Sequence, residues 1–380
     1  MLFLRSAHFK LVLFLAFLVF ILFFLFPELF SSKAYYNKGE EIVDSLNSVK
    51  EIFKPSVPPL DPLAYDKKLE SIANNPPPKP PITKVVKDPK TGVEKTITIE
   101  PKPLPTPLWP VKLNFYPNDG AVLPFNRVIA YYGNLYSKKM GVLGEYPEEE
   151  MLSRLDAEVK KWELADPETP VLPALHYIAV VAQGGAGADG KYRARMPHTE
   201  IDKVLEIAKK INAIVFLDLQ VGFSTLSVEV PLLEKYLKMP QVHLGIDPEF
   251  SMKNGIRPGK VVGTFDAADI NFTAEYLAKI VRENNLTPKI LVVHRYTEKM
   301  VTNYKEIKPL PEVQVVMHMD GWGGKAKKMN TYEQFVYKQP VQFTGFKLFY
   351  KNDILDKGTV LMSPADLLKL RPQPVYVQYQ

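Results

Sequence analysis

Residues 241–252 read QVHLGIDPEFSM, a short apolar run that ends in Asp247-Pro248-Glu249. The proline has no amide hydrogen to continue a ladder, and it stands where two carboxylates appear. In an extended backbone, residues i and i+2 point to the same side, so Asp247 and Glu249 share one face. Two carboxylates at the end of a buried strand are costly unless they are paired or put to use. The plain assignment is that one caps the next turn and the other meets a lysine. The rest of the chain decides whether they do more.

On both sides of this stretch, apolar runs alternate with helical patterns across residues 111–380. Strands are expected at Arg127–Tyr132, Leu175–Ala182, Ala213–Leu219, Gln241–Ile246, Lys289–Val293, Val313–Met319, Phe343–Leu348 and Val375–Tyr379. Helical spacing or start signals mark Pro147–Lys161, Thr199–Ile211 with Thr199 as cap, Val230–Leu237, Asp266–Asn284, Glu298–Tyr304, Tyr332–Tyr337 and Pro364–Leu370. Eight strands alternating with helices predict an α/β fold of the (β/α)8 TIM-barrel type. A doubly wound open sheet would need a glycine-rich phosphate turn after its first strand. That position reads YYGNLYSKKMG, which is no such fingerprint.

Barrel active sites lie at the C-terminal ends of the strands. Those ends supply Tyr131, Gln183, Asp218 with Gln220, Asp247 with Glu249, His294-Arg295, His318 with Asp320 and Trp322, Lys347, and Gln378. Any one of them alone reads as a cap or a satisfied core group; their repetition at one end predicts a site. Hydrolysis of a glycosidic bond needs a protonated carboxylic acid and a second carboxylate as nucleophile or base. Glu249 is the expected acid, its pKa raised by Asp247 beside it, and Asp320 the expected partner. Tyr131, Asp218, Gln220, His294, Arg295, His318, Trp322 and Lys347 are the expected substrate-binding groups. The Asp-x-Glu of strand four and the Met319-Asp320 ending of strand six resemble those of several barrel glycoside hydrolases. The chain departs from chitinase-like enzymes just before Asp-x-Glu, where His243-Leu244-Gly245 replace a fuller acidic signature.

Three other readings stay open, one of them a Schiff-base enzyme that uses Lys347. Asp218, Asp247, Glu249, His294, His318 and Asp320 suit a divalent metal in a phosphoester or amide hydrolase. A barrel that binds an envelope polysaccharide without turning it over uses the same residue types. No residue is assigned to a metal at this point, and no motif names a cofactor. The phrases YYGNLYSKKMGVLGEYP, LDLQVGFST, DPEFSM, VVHRYTEKMV, MDGWG and GFKLFYKND resemble those of uncharacterised bacterial membrane-anchored extracytoplasmic proteins. That resemblance implies a shared barrel-type body and brings no activity with it.

Ahead of the body, Leu11–Phe26 is uninterrupted hydrocarbon, and Leu29-Phe30 extends it towards the roughly 20 residues a membrane-crossing helix needs. Arg5 and Lys10 precede it, so residues 1–30 are expected to be an uncleaved signal anchor. The N-terminus would then be cytoplasmic and the body extracytoplasmic, with the membrane as one partner and an envelope glycan as another. Residues 31–110 carry repeated proline clusters and read as a semi-rigid spacer. A short amphipathic helix at residues 40–54 and one hairpin within Lys90–Glu100 are expected there, and a chain beginning near Val111 is expected to fold. The 48 Lys and Arg exceed the 42 Asp and Glu by 6, without the basic stripe of a nucleic-acid binder. The absence of cysteine excludes disulfides and thiolate metal sites.

Overall fold

Apolar strands that are buried on both faces read as continuous hydrophobic runs, and eight of them here close on themselves. The computed structural model describes residue 57 and residues 59–77, 79–87, 89–90, 92–99 and 106–380. The strands are β1 (Arg127–Gly133), β2 (Val171–Ala182), β3 (Ile214–Leu219) and β4 (Val242–Ile246), then β5 (Lys289–Arg295), β6 (Val313–Met319), β7 (Phe343–Leu348) and β8 (Tyr376–Tyr379). Each pairs in parallel with the next, and β8 pairs in parallel with β1, so no edge is left open. This is the closed (β/α)8 arrangement. The expected apolar segment Leu11–Phe26 and the helix at residues 40–54 lie outside the described residues. Among the described residues, no helix is long and apolar enough to cross a membrane.

The outer layer is less regular than the strand pattern suggests. Helix Glu148–Ala165 opens on three glutamates, which suit the positive end of the helix dipole. Helix His198–Lys209 starts one residue before the expected cap, with Pro197 at its N-cap instead of Thr199. Helix Ala267–Glu283 is held by a capping box between Asp266 and Asp269. The segment Glu298–Tyr304 is not one helix; it splits into 3-10 turns at Glu298–Met300 and Tyr304–Glu306 around a short strand, Val301–Thr302. Tyr332–Tyr337 is the end of a longer element, a helix from Lys325 to Tyr332 that runs into a π-helical turn.

The stretch read as spacer supplies the floor of the barrel. Between proline clusters, Pro62–Ala73 forms helix α1: Asp61 accepts from the amides of Leu63 and Ala64, Pro62 opens the first turn, and Asn74 closes it in the left-handed conformation. Tyr65 and Ile72 of α1 are buried in one cluster with Val128, Ala174, Phe216, Val292, Val316 and Phe343 of the lumen. Asn74 donates to the carbonyls of Leu368 and Leu370, Gln373 donates its amide to Ile72, and the Trp109 indole donates to Tyr337. The compact unit is accordingly Pro58–Gln380 rather than one that starts at residue 111. The hairpin pairs Ile82–Lys87 with Glu94–Ile99 and is exposed throughout, so its first strand lies upstream of the expected Lys90–Glu100.

Because α1 covers the lumen, Ile72→Ala should cost about 2–5 kcal/mol, the usual range for truncating a buried aliphatic side chain. Urea unfolding of the two proteins measures it. A chain beginning at Val111 should unfold at distinctly lower urea than one that retains α1, and equal midpoints would contradict the role given to this helix.

Candidate active site

At the C-terminal mouth of the barrel lies a cavity of about 750 Å³, lined by Tyr132, Gln220, Asp247, Glu249, Asp320 and Lys347, with Phe250, Tyr296 and Trp322 among its walls. A smaller cavity of about 380 Å³ lies beside α1, far from the clustered acids and imidazoles. The clustered carboxylates are at the mouth. Asp247, Glu249 and Asp320, read from separate strand ends, converge there.

Lys347 enters from β7 with its ammonium 2.9 Å from Asp320 Oδ1 and 3.8 Å from the centre of the Tyr132 ring. Asp320 Oδ2 is 2.8 Å from His294 Nδ1. Below them, His294 Nε2 and His176 Nε2 lie 3.4 and 3.2 Å from Asp218 Oδ1, close but without the alignment of a hydrogen bond. Asp218 Oδ2 accepts from the Tyr132 hydroxyl at 3.1 Å, and His176 Nδ1 meets the Tyr376 hydroxyl at 2.6 Å. The β6 loop that carries Trp322 is braced by a buried Lys328–Asp353 pair: Lys328 donates to the Gly321 carbonyl, and Asp353 accepts from the amide of Gly323.

These surroundings separate the acids electrostatically. Burial, then the charge of Asp320, raises Glu249 above the ordinary glutamate range, while the Tyr296 hydroxyl beside it pulls the other way. Burial raises Asp247 well above its ordinary value. Burial would also raise Asp320, but Lys347 and His294 outweigh it and hold the carboxylate ionised. Asp218 is likewise held ionised, with His294 and His176 outweighing burial. His176 falls to about 4, chiefly by burial, whereas Asp218 and Asp320 raise His294 to about 10 against its burial.

Several expectations change. Asp247 is a cap: its Oδ1 accepts from the amide of Glu249 at 3.0 Å, and Gln220 reaches its Oδ2 at 3.5 Å. Asp320 raises Glu249 by its charge, and Glu249 in turn helps to raise Asp247. Tyr131 points outward, its hydroxyl on Tyr350 at 3.1 Å, and Tyr132 takes the lumenal place. Arg295 also leaves the lumen, donating to the carbonyls of Thr297, Glu298 and Val301. His318 faces inward but sits below the cavity, fully buried with its ring 5.1 Å from those of His294 and Tyr376. Trp322 is half exposed at the rim. Tyr132, His176, Tyr296 and Tyr376 belong to the constellation and were not singled out from sequence.

No family model and no curated protein matches the chain. Among solved structures, it is similar to Thermotoga maritima Cel5A in complex with cellobiose, with 11% identity and a TM-score of 0.34 over 67% of this chain and 88% of that one. It is also similar to Bacillus subtilis mannanase BCman, with 12% identity and a TM-score of 0.35 over 68% and 81%. At such scores these neighbours carry no argument about the chain, and the barrel rests on its own strand order.

The Lys347–Asp320 pair is buried on both sides, so removing one partner strands the other. Lys347→Met should destabilise the protein by about 3–5 kcal/mol, and the double variant with Asp320→Asn should recover part of that loss. A double-mutant cycle in urea checks this; purely additive losses would mean that the two groups do not depend on each other.

Proposed function

We propose that the mouth of the barrel hydrolyses a glycosidic bond, with Glu249 as the acid and Asp320 as its ionised partner. The observation that carries this reading is the placement of two carboxylates on one cleft in opposite environments. Glu249 is largely buried beside a negative neighbour, and Asp320 is ion-paired with Lys347. A protonated Glu249 can give its proton to the leaving oxygen, and Asp320 can face the positive charge that develops on the sugar. The exposed ring of Trp322 and that of Phe250 offer apolar faces against which a sugar can lie. The apolar segment Leu11–Phe26 after Arg5 and Lys10 supports placing this activity on an anchored, extracytoplasmic protein that acts on an envelope glycan.

The acid role has a chemical signature. Glu249→Gln should lower turnover of a glycan with an ordinary sugar leaving group by about 10²–10⁴-fold, the usual contribution of a positioned acid, while binding is retained. A dinitrophenyl glycoside, whose leaving group needs no proton, should lose far less. Equal losses on both substrates would remove Glu249 from the acid role.

The pH profile is a separate check. Because Glu249 must be protonated and its pKa is raised, kcat/KM should fall as pH rises through a value above the ordinary glutamate range. This alkaline limb should disappear in Glu249→Gln assayed on the dinitrophenyl glycoside. A limb that persists unchanged belongs to another group.

A further inference from the structure

Beneath the cleft, three atoms that make no hydrogen bond point at one place: His176 Nε2, Asp218 Oδ1 and His294 Nε2. All three side chains are fully buried, and they offer one ligand atom each within 4.8 Å of one another. Buried polar atoms are ordinarily partnered, so three converging orphans call for a common partner. Their separations of 3.2 and 3.4 Å on the carboxylate oxygen are close to what tetrahedral coordination requires, since ligand bonds of about 2.0–2.1 Å place donors about 3.4 Å apart.

The surroundings fit the same reading. Each imidazole is held by its other nitrogen, His176 by the Tyr376 hydroxyl and His294 by Asp320, which leaves both Nε2 edges facing Asp218. Outer partners of this kind orient histidine ligands. Gly245 on β4 faces the same point: a Cβ there would lie 2.4 Å from both Asp218 Oδ1 and His176 Nε2. The place in front of two donors is therefore kept clear by a glycine.

We propose that His176, Asp218 and His294 bind one divalent transition-metal ion of the zinc class. Two imidazole nitrogens, with His294 giving up its proton to make room for the ion, and one carboxylate suit a borderline cation better than magnesium or calcium, which prefer oxygen sets. Among the described residues, no fourth His, Cys, Asp or Glu joins the group, which leaves a coordination position for water. The ion would lie one imidazole away from Asp320, beneath the carboxylates of the cleft. The inference goes beyond the glycosidase reading and does not depend on it.

The test uses the full-length chain, stripped with chelator, checked for folding by circular dichroism and titrated with zinc alone. One zinc per chain is expected, and X-ray absorption of the loaded wild-type protein should show two histidines and an oxygen ligand. Tyr376→Phe should weaken binding by about 10–100-fold, the usual effect of losing an outer partner, and His176→Gln and Gly245→Ala by more. His198→Gln, on an outer helix, should bind as wild type does. A folded wild-type chain that takes up no zinc, or absorption spectra without histidine, would overturn the proposal. So would undiminished binding in both His176→Gln and Gly245→Ala. The place would then belong to a proton on His294 shared between Asp218 and Asp320. Because the readout is metal content, its failure is distinguishable from failure of the acid role of Glu249.

Discussion

A line of buried polar side chains crosses the barrel from Lys347 through Asp320, His294, Asp218 and His176 to Tyr376, and each contact depends on the next. Lys347 pairs with one oxygen of Asp320, His294 with the other, and both imidazoles face the same oxygen of Asp218. Charges removed from water cost several kcal/mol each unless their partners are in place, so strands β2, β3, β5, β6, β7 and β8 are held in one register by this line. Its upper end meets the cleft at Asp320, which is what sets the environment of Glu249.

The line needs both room and cover. Room comes from two inward glycines: a Cβ on Gly245 would meet Asp218 and His176, and one on Gly345 would lie 2.6 Å from His318 Nδ1. The space that a side chain on Gly245 would need is taken up by the imidazole of His176 and the carboxylate of Asp218. Cover comes from α1, which closes the lumen from the other end and keeps the lower layer of Ala130, Phe216 and Tyr376 dry. A segment that reads as spacer on its proline content thereby becomes part of the barrel core.

The strands were legible because each is a continuous apolar run, but that same feature hides which face is inward. In β1 every residue is buried, so nothing in the sequence separates Tyr131 from Tyr132, and the same holds for His294 and Arg295 on β5. On β2 the register shifts between Ile178 and Val180, so counting back in twos from Gln183 puts His176 on the wrong face. Ile178 and Val181 both turn inward beside Tyr132. Asp247 followed the plain assignment, as a cap. The signals for α1 were present, in Asp61-Pro62 at its start and Asn74 at its end, and were outweighed by the prolines around them.

The proposed function depends on whether Glu249 is a neutral acid at the pH where Asp320 is a carboxylate. A carboxyl-carbon NMR titration of the folded protein, with Glu249 assigned by its loss in Glu249→Gln, measures this directly. Glu249 should stay protonated well past the ordinary glutamate range, held there by burial and by the charge of Asp320. A Glu249 that ionises at or below that range would contradict it.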